Sequence, residues 1–321
     1  MVADSSASPP LDLQVGPPPE TPSPDGLLTQ RVVPLRHPWR WVATVVVLVL
    51  LAQFVHGLIS NPFYEWDRFR YWFLRPVVLD GLVITLKVTA WSAVLGFLGG
   101  VVLALMRVSK NPLLRAVSWG YIWLFRSVPL IVLLLVIYNF SAIYPKLSLG
   151  IPFGPGFAEF ETTDLLGYTV IGIIALSLNE AAYAAEVVRA GIQSVDQGQH
   201  EAADALGLSR GRQFRRIILP QALRAIVPAY VNQLIGLIKA SSLVFYVSLL
   251  DLFGVVMSMG STYPTDIIPL LLVATAWYVV LTSLLSVVQY YVERYYARGA
   301  VRTMPPTPLQ QLRASFARRF R

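Results

Sequence analysis

The stretch GQHEAADALGLSRGRQF, residues 198–214, is polar and punctuated by glycine in a chain that is otherwise mostly apolar. It lies between two long apolar segments and reads as a short helix, a turn and a second helix. Asp196 followed by Gln199 has capping-box spacing, and Gly207 can supply the left-handed residue that ends the first helix. Ser209 can cap the second helix, and Pro220 marks a break before the next apolar run. The first helix, EAADAL, is mostly alanine and makes a narrow rod with charges at Glu201 and Asp204; the second, RGRQFRRI, carries four arginines. A hairpin this small cannot bury a core of its own. Either it docks on something cytoplasmic, or it lies on lipid headgroups held by its arginines. Physical chemistry alone leaves both readings open.

The surrounding composition is that of a membrane protein. Of 321 residues, 55% are hydrophobic and 14% charged, against about 25% charged in soluble domains. Several apolar runs exceed the roughly 20 helical residues that cross a bilayer core. The fold class expected is all-α, a polytopic transmembrane bundle of six spans near 41–59, 80–106, 116–140, 167–189, 225–249 and 267–291. Residues 1–40 are rich in Pro, Ser and acids and read as a disordered tail, followed by an extra, uncleaved first span at 41–59. Residues 296–321 form a basic C-terminal tail.

Charge placement gives the orientation. Most of the 26 Lys and Arg residues fall in the N-terminal flank, the second and fourth connections and the C-terminal tail. The alternate connections hold only Arg68, Arg70, Arg75 and Lys146. The positive-inside rule then puts both termini and the hairpin in the cytoplasm, and it accounts for the net charge of +8 without nucleic acid. The connection 141–166 reads as an external loop with a short helix near GFAEFE. Gly96, Gly99 and Gly100 should let a neighbouring helix approach closely.

EAADALGLSRGRQFRRIILP, residues 201–220, resembles the EAA signature of the membrane-spanning subunits of ABC importers. The family pattern is Glu-Ala-Ala, three residues, Gly, nine residues, Ile-x-Leu-Pro. Glu201, Ala202, Ala203 and Gly207 match it, and Ile217, Leu219 and Pro220 complete it at the right interval. The wider run from AAYAAEVVRAG to LIKASSL is similar to the polar amino-acid permeases, as are GLVITLKVT and FRSVPLIVLLL upstream. The resemblance covers residues 78–295. It implies a type I importer permease in a bacterial cytoplasmic membrane, with residues 198–218 as the coupling helix. It also implies two cytoplasmic ABC ATPase subunits, a second permease subunit, identical or different, and an extracytoplasmic amino-acid-binding protein. ATP and Mg would be used by the ATPase, with no cofactor bound by this chain.

Candidate substrate contacts are the polar residues inside spans. Arg126, in FRSVPL, is costly at that depth unless it is paired or lines a cavity. It can fork onto a substrate carboxylate or bridge to Glu180. The family commonly has Arg-Gly-Thr-Pro here; Ser127 and Val128 depart from it while Arg126 and Pro129 remain. Asn179 and Glu180 lie in the fourth span, and Glu180 can meet a substrate ammonium or pair with Arg126 or Lys239. Glu186 and Arg189 are one turn apart and read as a structural pair. Asn232 and Lys239 share a face of the fifth span, followed by Ser241 and Ser242; Asn232 and the serines can equally bond helix to helix, their commoner role in membranes. Some family members have an acid after the lysine where this chain has Ala240, which argues against a strongly cationic substrate unless Glu180 compensates.

No nucleophile–base pair, metal-ligand cluster or P-loop is visible, so the chain is expected to be a permease and not the subunit that hydrolyses ATP. The rival reading is a stand-alone secondary transporter or channel, which has no need of the hairpin.

Overall fold

The structure, a computed structural model, describes residues 38–151 and 156–296. The tails at 1–37 and 297–321 lie outside the described residues. The chain divides after Asn61 into two units. The first contributes one helix, α1 (Pro38–Ser60), apolar on all sides. Its few hydroxyls bond their own turns, Thr44 Oγ1 donating to the Arg40 carbonyl and Ser60 Oγ to that of His56. Such a helix has no core-facing stripe and suits lipid contact all round.

After a 3-10 turn (Pro62–Tyr64), the second unit forms a short helix where the sequence predicts only a connection, α2 (Trp66–Phe73). It is strongly amphipathic, with Trp72 buried and its indole N–H donating 2.8 Å to Asp266. Arg68 pairs with the same carboxylate at 3.2 Å, and Phe73 stacks on Trp277 with centroids 4.9 Å apart. Pro76 then starts α3 (Pro76–Arg107), the second span.

The third span is not one rod. α4 (Pro112–Ser127) and α5 (Leu130–Tyr138) meet at a bend of 102° at residues 128–129. Pro129 cannot donate to the preceding turn, and its ring disfavours helical backbone at Val128, which is extended. The connection after α5 also differs from expectation: GFAEFE is a strand. β1 (Lys146–Gly150) pairs antiparallel with β2 (Gly156–Glu161), Lys146 opposite Glu161 and Ser148 opposite Glu159. Glu159 and Glu161 alternate with Ala158 and Phe160, a period of two that suits a strand.

α6 (Tyr168–Gln193) is the fourth span, and it packs along α3. Small residues set this contact: a Cβ at Gly100 would sit 2.5 Å from the Ala184 Cβ, and one at Gly96 would sit 2.7 Å from that of Glu180. The close approach expected at Gly96, Gly99 and Gly100 is therefore made, against α6.

The hairpin follows as α7 (Gln197–Ala205) and α8 (Arg210–Gln213). Pro220 does not break the chain before the fifth span. α8 runs through a π-helical turn (Phe214–Ile218) into α9 (Leu219–Ala240). The wider turn accommodates a residue that has no N–H to give. α9 continues as a 3-10 segment (Ser241–Val247), and Ser248 then reverses the chain at φ 64°.

The short helix α10 (Leu252–Thr262), also not anticipated, precedes the last span, α11 (Ile267–Tyr296). Asp251 anchors the reversal from a fully buried position. Its Oδ1 accepts from the Gly254 amide at 2.9 Å, and its Oδ2 accepts from Thr85 at 3.2 Å and Tyr278 at 3.4 Å. The Leu252 amide donates in turn to Thr85 Oγ1 at 3.0 Å. One carboxylate thus ties α3, α10 and α11 together. Among the described residues, five helices are long and apolar enough to span a membrane, or six with the bent pair counted as one.

Candidate functional site

The hairpin between α6 and α9 is built by local backbone chemistry. Asp196 caps α7 by accepting from the Gly198 amide at 2.8 Å. The reciprocal half of the expected capping box is absent among the described residues, because the Gln199 side chain accepts from Gln221 at 3.1 Å instead. At the other end Gly207 takes φ 66°, its amide donating to Asp204 at 2.9 Å and that of Leu208 to Ala203 at 3.2 Å. These two bonds make a Schellman ending, which satisfies the last carbonyls of the helix. Ser209 occupies the N-cap position of α8 but makes no side-chain cap bond.

A residue that the sequence reading passed over locks the two arms together. Gln213 is buried, and its side-chain amide donates to the His200 carbonyl at 3.0 Å and to Asp204 at 3.4 Å. Only Ala203 of α7 is buried with it. Glu201, Ala202, Ala205 and Gly207 are exposed, and Leu206 is 75% exposed at the tip. The hairpin therefore presents a small-sided, partly apolar end on a short, fixed neck. Leu219 and Pro220 lie beyond that neck, at the start of α9.

The polar residues inside the spans fall into separate places. Arg126 lies over the ring of Tyr183 at 5.3 Å, and both line an open cleft of about 580 Å³. Arg107, Trp123, Glu186 and Arg189 are further parts of its wall. Glu186 and Arg189 form the expected pair, with Nη2 2.6 Å from Oε2. Glu180 is not Arg126's partner. It is 3% exposed, faces Gly96, Tyr230 and Gln233, and its Oε1 has no hydrogen-bond partner among the described residues. Glu180 forms no ion pair with Lys239 either, among the described residues.

Asn179, beside Glu180, donates to the Phe125 carbonyl at 3.0 Å. Lys239 lines a different cleft, with Phe253, Thr275 and Tyr278. Asn232 is exposed one face-repeat earlier on α9. Ser241 and Ser242 bond back to their own helix, at the Ile238 and Lys239 carbonyls, as interior serines commonly do. Arg126 and Asn179 are thus brought to one place, and Lys239 is not brought to it. Among the described residues no group of His, Asp or Glu is arranged to hold a metal.

The described residues thus form a multi-pass helical bundle with a capped polar hairpin before its fifth span, the architecture of a membrane-embedded protein. The chain belongs to the family of binding-protein-dependent transport system inner membrane components, whose pattern matches residues 96–298. The arginine transport system permease protein ArgU of Corynebacterium glutamicum is 40% identical over 304 residues, 94% of this chain and 93% of its own. The glutamate/aspartate import permease protein GltK of Escherichia coli O157:H7 is 36% identical over 222 residues, 67% of this chain and 92% of its own. A solved amino acid ABC transporter with histidines superposes at a TM-score of 0.59 with 34% identity, covering 68% of this chain and 94% of its own. The chain is accordingly a permease subunit of an ABC importer of the amino-acid permease type, and ATP hydrolysis belongs to separate subunits.

Proposed function

We propose that this permease carries a polar amino acid, delivered by an external binding protein, across the cytoplasmic membrane. Two ATPase subunits drive it by docking on the 198–218 hairpins of a permease pair. The observation that carries the coupling role is the exposed, Schellman-capped tip around Leu206, held rigid by Gln213. A hairpin lying flat on headgroups has no use for so stiff a neck. The charge pattern of the connections supports a cytoplasmic position for both termini and for this tip.

Within the spans, Arg126 is the anchor for the substrate carboxylate. Its guanidinium borders an open cleft, stacks on Tyr183 and has no carboxylate within ion-pair distance among the described residues. The arginine permease among the relatives, which matches nearly the whole chain, favours a basic amino acid as the substrate.

The test is uptake into proteoliposomes holding the permease, its ATPase and its binding protein, with the standard amino acids in competition. Inhibition led by the basic amino acids is the expected result. Equal inhibition by acidic or apolar ones would overturn the substrate assignment.

A further inference from the structure

Asn179 sits where the third span loses one of its own backbone donors. In an α-helix the Phe125 carbonyl would accept from the amide of residue 129, and that residue is proline. The last regular bond of α4 runs from the Val128 amide to Leu124 at 3.1 Å. The next carbonyl along, that of Phe125, accepts instead from the Asn179 side-chain amide at 3.0 Å. One turn earlier the Tyr121 hydroxyl donates to the Leu178 carbonyl at 2.9 Å, so two adjacent residues of α6 hold the end of α4. Beyond the break, the Pro129 carbonyl accepts from Val132 and Leu133 to start α5.

We propose that Asn179 is a positioning residue. It replaces the donor that Pro129 removes, fixes the bend between α4 and α5, and thereby sets the direction of Arg126. The adjacent peptide is Arg126's own, and its guanidinium reaches Tyr183, one turn along α6 from Asn179. The two helices are therefore registered twice within one turn, once through the backbone and once through the cation. This deepens the reading of Arg126 as the carboxylate anchor and rests on it. Asn179 acts on substrate through Arg126, with its amide committed to the backbone.

Asn179→Leu keeps the branched shape and removes the donor, while Asn179→Gln keeps an amide on a longer arm. Two readouts are needed. The first is the KM and maximal rate of uptake, normalised to membrane abundance, in Asn179→Leu, Arg126→Met and the double variant. Asn179→Leu should raise KM several-fold with the maximal rate within twofold, Asn179→Gln should recover part of that loss, and Asn179→Leu should add nothing on the Arg126→Met background. The second is the rate at which a maleimide labels Ser127→Cys, clean because the chain has no native cysteine. Labelling should quicken several-fold when Asn179 is leucine. Full multiplication of the two KM effects together with unchanged labelling would overturn the proposal in favour of a direct substrate contact. If Arg126→Met transports normally, the anchor reading fails and so does the route to substrate; the labelling rate then still decides whether Asn179 fixes the bend.

Discussion

The Leu208 amide donates to the Ala203 carbonyl at 3.2 Å across Gly207, whose φ is 66°. That bond closes the hairpin that distinguishes this chain from a plain helical bundle, and no neighbouring atom crowds the glycine. A side chain there is opposed by backbone conformation alone. A β-branched residue held at positive φ costs about 1–3 kcal/mol. Gly207→Val should therefore insert normally and lose most of its uptake, with Gly207→Asn much less affected. Transport assays at matched membrane abundance check this, and wild-type uptake by the valine variant would contradict it.

Arg126→Lys keeps the charge and loses the planar fork, so uptake should fall with KM raised several-fold. Because Glu180 lies elsewhere, facing Gly96 and Tyr230, removing both charges should not rescue transport. Uptake kinetics of the Arg126→Met/Glu180→Gln pair decide the point. Recovery to near-normal rates would mean that the two side chains bridge in another state of the cycle.

The contact between α3 and α6 predicts a size exchange. Gly100→Ala places a methyl 2.5 Å from the Ala184 Cβ, and overpacking of this kind costs about 1–3 kcal/mol. Thermal aggregation in detergent should shift down for Gly100→Ala and recover in Gly100→Ala/Ala184→Gly. Failure of the second change to restore stability would show that the clash lies with the α6 backbone, whose Ala185 amide is 2.9 Å away.

Asp251 gathers donors from three elements, and Asp251→Ala would leave the Gly254 amide and the Thr85 and Tyr278 hydroxyls without their acceptor. Each such buried group costs about 1–3 kcal/mol. The alanine variant should be poorly folded. Asp251→Asn keeps one acceptor oxygen and should lie between it and wild type in a thermal-stability series. An alanine variant as stable as wild type would show that the network is dispensable.

What could be read from sequence followed from how local each signal was. Gly207, Asp196 and the EAA spacing act within a few residues, and the hairpin was legible from them. Pro129 announced a missing donor, but the extent of the bend depended on Asn179, which lies 54 positions along the chain. Alternation in AEFE spans only four residues and follows the loop-like run GIPFGPG, so the sequence predicts a short helix where a strand forms. α10 was hidden because residues 249–259 are mostly apolar yet too few to span a membrane, and Ser248 and Asp251, which make the turn, carry no signal specific to it. Candidate contacts were chosen by polarity within spans. Polarity alone does not distinguish Ser241, bonded to its own helix, from Arg126, bordering an open cleft.

The central claim is that the Leu206 tip seats in the ATPase. A photo-crosslinking amino acid at position 206, with one at Leu149 in β1 as control, tests it in membranes containing the whole transporter. Irradiation should join the permease to the ATPase subunit from position 206 and not from position 149. Absence of that product from position 206, at normal uptake, would contradict the account.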